Sequence, residues 1–156
     1  MAGERSLAPF TPPHGPPLTY RIDAVNLRFT RYPGNSAFPI HRISLSGRGS
    51  ATLERNGAPL HISYSSENLI VLLNTLYKIH FFELPAKYTT RYSVFLKDDG
   101  TVATSALRLS DAASTSVCFE VGEYEKCVTY GRDGPCELEN LVDRVFDDLE
   151  KRVREK

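Results

Sequence analysis

An α+β fold, an antiparallel and meander-rich sheet with two helices packed on one face, is predicted by three observations on this 156-residue chain. Two stretches carry apolar residues at helical spacing. Several shorter runs alternate apolar and polar residues between Gly-rich turns. The order is strands, helix, strands, helix, which suits an antiparallel sheet with helices laid across it.

The last third shows the logic best. Leu138, Leu141, Val142, Val145, Phe146, Leu149 and Val153 form one apolar stripe. Ordering such a helix costs about 1 to 2 kcal/mol per residue in backbone entropy, so it forms only when docked on a sheet. Pro135 suits its first turn, where a missing N–H costs nothing. Glu137, Glu139 and Asp143 crowd its start and Lys151, Arg152, Arg154 and Lys156 its end, complementing the helix dipole.

Taken in order, residues 1–17 hold five of the ten prolines and read as a disordered arm, with residues 18–156 forming the single α+β domain. Val25, Leu27 and Phe29 alternate with polar residues as a half-buried strand, which stops at Tyr32-Pro33-Gly34. Strands at 40–45 and 51–55 flank Ser46-Gly47-Arg48-Gly49, a hairpin signal. Asn56-Gly57 marks a further turn before a short strand at 60–64. Ser65 and Ser66 open a helix whose inward face is Leu69, Leu72, Leu73, Leu76 and Ile79, and Pro85 requires it to end by Leu84. Tyr92, Val94 and Leu96 then lead to Asp99-Gly100, read as a type I′ turn pair, and Val102 returns. The terminal hairpin-plus-helix unit looks like the second of two such halves.

The final hairpin leaves two registers open. A two-residue turn at Gly122-Glu123 sets Cys118 directly opposite Cys127 and Glu120 opposite Glu125. A three-residue loop instead opposes Glu120 to Lys126 and separates the cysteines. The first register, favoured here, makes a Cys118–Cys127 disulfide geometrically reachable.

Composition narrows the function. With 41% hydrophobic and 24% charged residues the chain reads as globular and soluble. Nineteen basic and nineteen acidic side chains cancel, so no overall field draws nucleic acid. No apolar run is long enough for membrane insertion, and the N-terminus lacks an apolar signal region, which places the chain in the cytoplasm unless a signal once preceded it. Cys118, Cys127 and Cys136 lack CxxC spacing and the four histidines are scattered, so neither a metal site nor a cofactor is expected.

Five pieces, in order, resemble a bacterial domain family of unknown function that is often exported or lipid-anchored. They are Leu27-Arg28-Phe29-Thr30-Arg31, Phe81-Phe82-Glu83-Leu84, Asp111 ahead of Val117-x-Phe119, Lys126-x-Val128, and Gly134-Pro135-x-x-Leu138. The resemblance covers about residues 25 to 150 and implies an α+β domain. Members carry a Gly-x-Cys-Pro element where this chain reads Gly34-Asn35-Ser36-Ala37-Phe38-Pro39, so any redox role of that cysteine does not carry over.

A non-catalytic binding or accessory domain with a protein partner is the leading expectation. Tyr92, Tyr124 and Tyr130 are amphipathic contact candidates, alongside Asp111 and Lys126, which bracket the last hairpin. A small enzyme built on Cys136, whose position at a helix start favours the thiolate, is the first alternative. A homodimer formed through an open sheet edge or an overhanging last helix is the second.

Overall fold

The computed structural model describes residues 15–34, 37–55, 57–88, 90–108, 113–131 and 134–154, with side chains of 90–93 and 105–108 excepted. Most of the proline-rich arm, Asp111 and the Asn35-Ser36 pair lie outside the described residues, as does the side chain of Tyr92.

The strands are β1 (Val25–Tyr32), β2 (His41–Ser46), β3 (Ser50–Arg55), β4 (Ala58–Ser63), β5 (Lys87–Tyr88), β6 (Thr90–Leu96), β7 (Val102–Arg108), β8 (Ser114–Val121) and β9 (Tyr124–Tyr130). The helices are α1 (Ser66–Lys78) and α2 (Cys136–Arg154). Seven strands form one sheet in the order β4-β3-β2-β1-β8-β9-β5, and β6-β7 form a separate two-stranded ribbon. All pairings in the large sheet are antiparallel except the short β5–β9 pair.

Period-two alternation sorts the sheet into two faces. Val25, Leu27, Phe29, Ile43, Leu45, Leu53, Val117, Phe119 and Val128 are fully buried on the helix side. The other face is polar and includes Asn26, Arg28, Ser44, Thr52, Ser116 and Glu120, whose register positions alternate with the buried set.

Both helices bury the stripes that the spacing predicts. α1 contributes Leu69, Leu72, Leu73 and Leu76, and α2 contributes Leu138, Leu141, Val142, Val145, Phe146 and Leu149, all to one core. Ser65 caps α1 by accepting a hydrogen bond from the Asn68 amide at 3.1 Å. α1 ends before the limit set by Pro85: His80 adopts a left-handed conformation (φ 60°), and a 3-10 turn over Phe81–Glu83 follows. The turn drives Phe81 and Phe82 into the core. α2 is tied to the sheet at both ends. Arg31 bonds Asp143 and covers the Phe146 ring at 4.1 Å, while Arg55 approaches Glu150 at 3.9 Å and Arg152 lies over Tyr64.

Three expectations need correction. The 92–102 hairpin does not join the large sheet; Val94, Leu96 and Val102 share one face of the ribbon and remain exposed. Its turn is not type I′ at Asp99-Gly100. The Gly100 amide bonds the Lys97 carbonyl, Gly100 alone takes positive φ (87°), and the Asp99 carboxylate accepts from the Thr101 amide and hydroxyl. This is a type I turn closed by a left-handed glycine, and the Asp99 side chain supports it. Nor are the two halves equivalent: a four-strand meander precedes α1, whereas β5, the detached β6-β7 ribbon and the β8-β9 hairpin precede α2, with β8 inserted beside β1.

Candidate functional site

The final hairpin adopts the register of a two-residue turn, with Gly122 at φ 58° and Cys118 paired to Cys127. The two sulfurs form a disulfide on the polar face of the sheet. Its sequence separation of nine residues closes a short loop, which in the chain-entropy account is worth about 2–3 kcal/mol. The Cys118→Ser/Cys127→Ser double variant is expected to lose that much in urea denaturation. An unchanged midpoint would show that the bond adds nothing to the neighbouring β1–β8 and β8–β9 ladders.

A cleft opens where the sheet ends, and it arises from a change in side-chain character along a fixed parity. On the helix face, Ile43, Phe29, Val117 and Val128 form a cross-strand row of apolar residues. One step further out, at the same parity, the row reads His41, Arg31, Thr115, Tyr130. Apolar packing therefore stops there, and the start of α2 stands over the gap with Glu139 and Asp143. The β1–β2 loop supplies the facing wall through Pro33, Phe38 and Pro39, with Tyr32 beside them. The open cleft has a volume of about 850 Å3. A second groove of about 610 Å3 shares Tyr32, Pro33, Phe38 and Pro39 and continues to Ile40, Arg42 and Glu54.

Polar and apolar groups alternate around the cleft. Phe38 is 61% exposed and Tyr32 40% exposed, so both rings are open to a ligand. Arg31 donates to Asp143 at 2.5 Å, so the two charges neutralise each other and pin the end of β1 to α2. Tyr130 is buried, and its hydroxyl is pushed up to about 12, first by desolvation; the hydrogen bond with Thr115 opposes the shift, and the Glu139 charge adds to it. The chain after β9 folds back so tightly that a Cβ on Gly134 would sit 2.4 Å from the Tyr130 ring.

Tyr130 makes alkaline stability testable. Above pH 10 the unfolded tyrosine releases its proton while the folded one keeps it, so the native state loses ground until about pH 12. A gap of two pH units corresponds to roughly 2–3 kcal/mol. Urea denaturation from pH 9 to 12 should show this decline, and the Tyr130→Phe variant should show a shallower one. Identical pH slopes for the two proteins would exclude Tyr130 as the source.

The other residues singled out in the sequence fall elsewhere. Cys136 is the first residue of α2 and is exposed, but it does not line the cleft. Tyr124 packs among Phe82 and Phe119 with ring centroids 6.2 and 6.1 Å away, at the opposite end of the core. Lys126 lies on the core face opposite Phe119, and its ammonium donates to the Leu84 carbonyl at 2.5 Å, so its charge caps the turn that follows α1. Tyr20 joins the same aromatic group through a 2.6 Å hydroxyl contact with Tyr77. The open sheet edge at β4 carries Pro59, which lacks the N–H a sheet-edge dimer would need there. Sequence reasoning passed over Arg31, Phe38 and His41. The usable signal was a polar residue at an inward position of an otherwise apolar alternation, 25, 27, 29, 31 and 45, 43, 41.

Compared with known proteins, the chain matches no family model, no curated protein and no solved structure. No helix among the described residues is long and apolar enough to cross a membrane.

Proposed function

We propose that this chain is a non-catalytic protein-binding domain whose site is the cleft at the end of the sheet, taking an extended peptide that presents an apolar side chain beside a basic one. The observation that carries the reading is the pairing of an exposed apolar wall, Tyr32, Phe38 and Pro39, with carboxylates of α2. An apolar side chain gains by covering Phe38, and a basic side chain gains by meeting Glu139 in the acidic first turn of α2. Arg31 is held by Asp143 and so does not repel that cation strongly. The adjoining groove lengthens the track, which suits an extended chain better than a compact ligand.

The proposed setting is an oxidising compartment. The Cys118–Cys127 bond supports it, because such bonds persist where thiols are not kept reduced. The resemblance to an exported domain family points the same way.

A phage-displayed random peptide library selected on the full chain tests the site. Enriched peptides should place an aromatic or aliphatic residue next to Lys or Arg. Phe38→Asp and Glu139→Lys should each weaken the best peptide at least tenfold while far-UV circular dichroism stays unchanged. Peptides that bind both variants as tightly as the parent would overturn this assignment, as would a library that yields no enriched sequence.

A further inference from the structure

Outside the cleft, the polar face of the sheet carries a cluster with ligand chemistry. Cys118 and Cys127 oppose each other across the β8–β9 ladder, and Glu125 lies two residues from Cys127 on the same face of β9. One ligand atom from each of the three can be found within 4.8 Å of the others. We propose that the reduced form of this cluster is a binding site for a thiophilic divalent cation of the zinc type, and that the disulfide is its closed state. The inference is independent of the cleft; in the oxidising setting proposed above the disulfide is the resting state, and the ion binds only after reduction.

The geometry requires little movement. A tetrahedral Zn2+ with bonds of about 2.3 Å to sulfur and about 2.1 Å to oxygen separates its protein ligands by about 3.5 to 3.8 Å. The carboxylate is already within reach, and the two sulfurs need only swing apart about their Cα–Cβ bonds. The backbone is held meanwhile, because β8 is paired on both sides, to β1 and to β9. Two thiolates and one carboxylate select a soft or borderline ion over Mg2+ or Ca2+, and three protein ligands leave a fourth position for water.

The surroundings suit a loaded site. Arg28 stands opposite Cys118 in the β1–β8 register and contacts the Glu125 carboxylate at 3.4 Å. Two thiolates, one carboxylate and a divalent cation sum to one negative charge, which Arg28 cancels. The Ser116 hydroxyl, 3.8 Å from the Cys118 sulfur, can donate to a thiolate there. Such contacts to the ligands orient them and tune affinity. Cys118 is buried, while Cys127 is half-buried and the Glu125 side chain 48% exposed, so the ion enters from the Glu125 side.

The chemistry balances simply. A dithiol or phosphine reductant supplies two electrons, the S–S bond breaks, and two protons complete the thiols. The cation then displaces both protons as it binds the two thiolates. Oxidation by a disulfide-bearing reagent removes the two electrons and releases the ion.

Co2+ serves as the spectroscopic probe on the full chain with Cys136→Ser, which removes the remaining cysteine. After phosphine reduction, one equivalent of Co2+ should produce a thiolate-to-metal absorption in the near ultraviolet together with tetrahedral visible bands, and Zn2+ should bleach both. The oxidised protein should show neither. Glu125→Gln should weaken Zn2+ at least tenfold in a chelator competition, with its fold checked by circular dichroism in the oxidised state, where no ion is needed. Co2+ spectra without thiolate absorption would overturn the proposal, and so would equal affinity in the Glu125→Gln variant or equal binding by the oxidised chain.

Discussion

Phe119→Ala is expected to lower stability by about 3–5 kcal/mol, the range for removing a large aromatic side chain from a packed interior. Phe119 is fully buried on β8, a strand with partners on both sides. Its ring sits at the junction of the two halves of the core. Phe82, delivered by the turn after α1, meets it edge-on at 5.0 Å, and Tyr20 and Tyr124 approach at 6.0 and 6.1 Å. Edge-to-face pairs of this kind add about 0.5–1.5 kcal/mol beyond the area they bury. Phe119→Leu keeps most of the volume and loses only the ring contacts, so it should cost much less. Chemical denaturation of the three proteins measures the difference. Equal stabilities for the alanine and leucine variants would mean that the aromatic group is not packed as described.

Gly47→Ala should cost about 3 kcal/mol or more, in the upper part of the range for forcing extra atoms into a filled space. A Cβ at this position would stand 1.6 Å from the Ile22 carbonyl oxygen and 3.3 Å from the Asp23 Cα. Those atoms are backbone, in a 3-10 turn over Ile22–Ala24 that leads into β1, and cannot swing aside as a side chain would. The approach is fixed further by the Gly47 amide, which donates to the Val25 carbonyl at 2.9 Å. Gly49, two residues on, makes the contrast. It has positive φ (105°) and open space around it, so Gly49→Ala meets only the smaller cost of a left-handed conformation. Thermal denaturation should therefore rank Gly47→Ala well below Gly49→Ala. The reverse order would place the 3-10 turn away from this hairpin.

Much of the architecture is legible in the sequence. The stripes of α1 and α2 name their own buried residues, because a helix that must dock shows its docking face every third or fourth position. The alternation of β1, β2 and β8 likewise names the core face. The Gly122-Glu123 turn made the opposed register of Cys118 and Cys127 one of two readable options, and the pairing of Glu120 with Glu125 comes with it. Less legible was the fate of the 92–102 hairpin, since alternation looks the same in a strand of the main sheet and in a detached ribbon. The cleft was hidden for a related reason. Arg31 and His41 are distant in sequence from Glu139 and Asp143, and nothing local to either pair announces the other.

By itself, then, the sequence determined the local facts: which stretches coil, which extend, where the chain turns, and which side chains share a face. These follow from short-range sterics and from the periods of helix and strand, and they hold whatever the neighbours are. Only the tertiary structure decided that β8 lies between β1 and β9, that Gly47 is needed for room where Gly49 is needed for rotation, and that a polar row at the sheet's end meets the acidic start of α2. Those depend on which surfaces find each other after the backbone has taken its local form, and complementary shape between distant segments leaves no period in the chain that carries them.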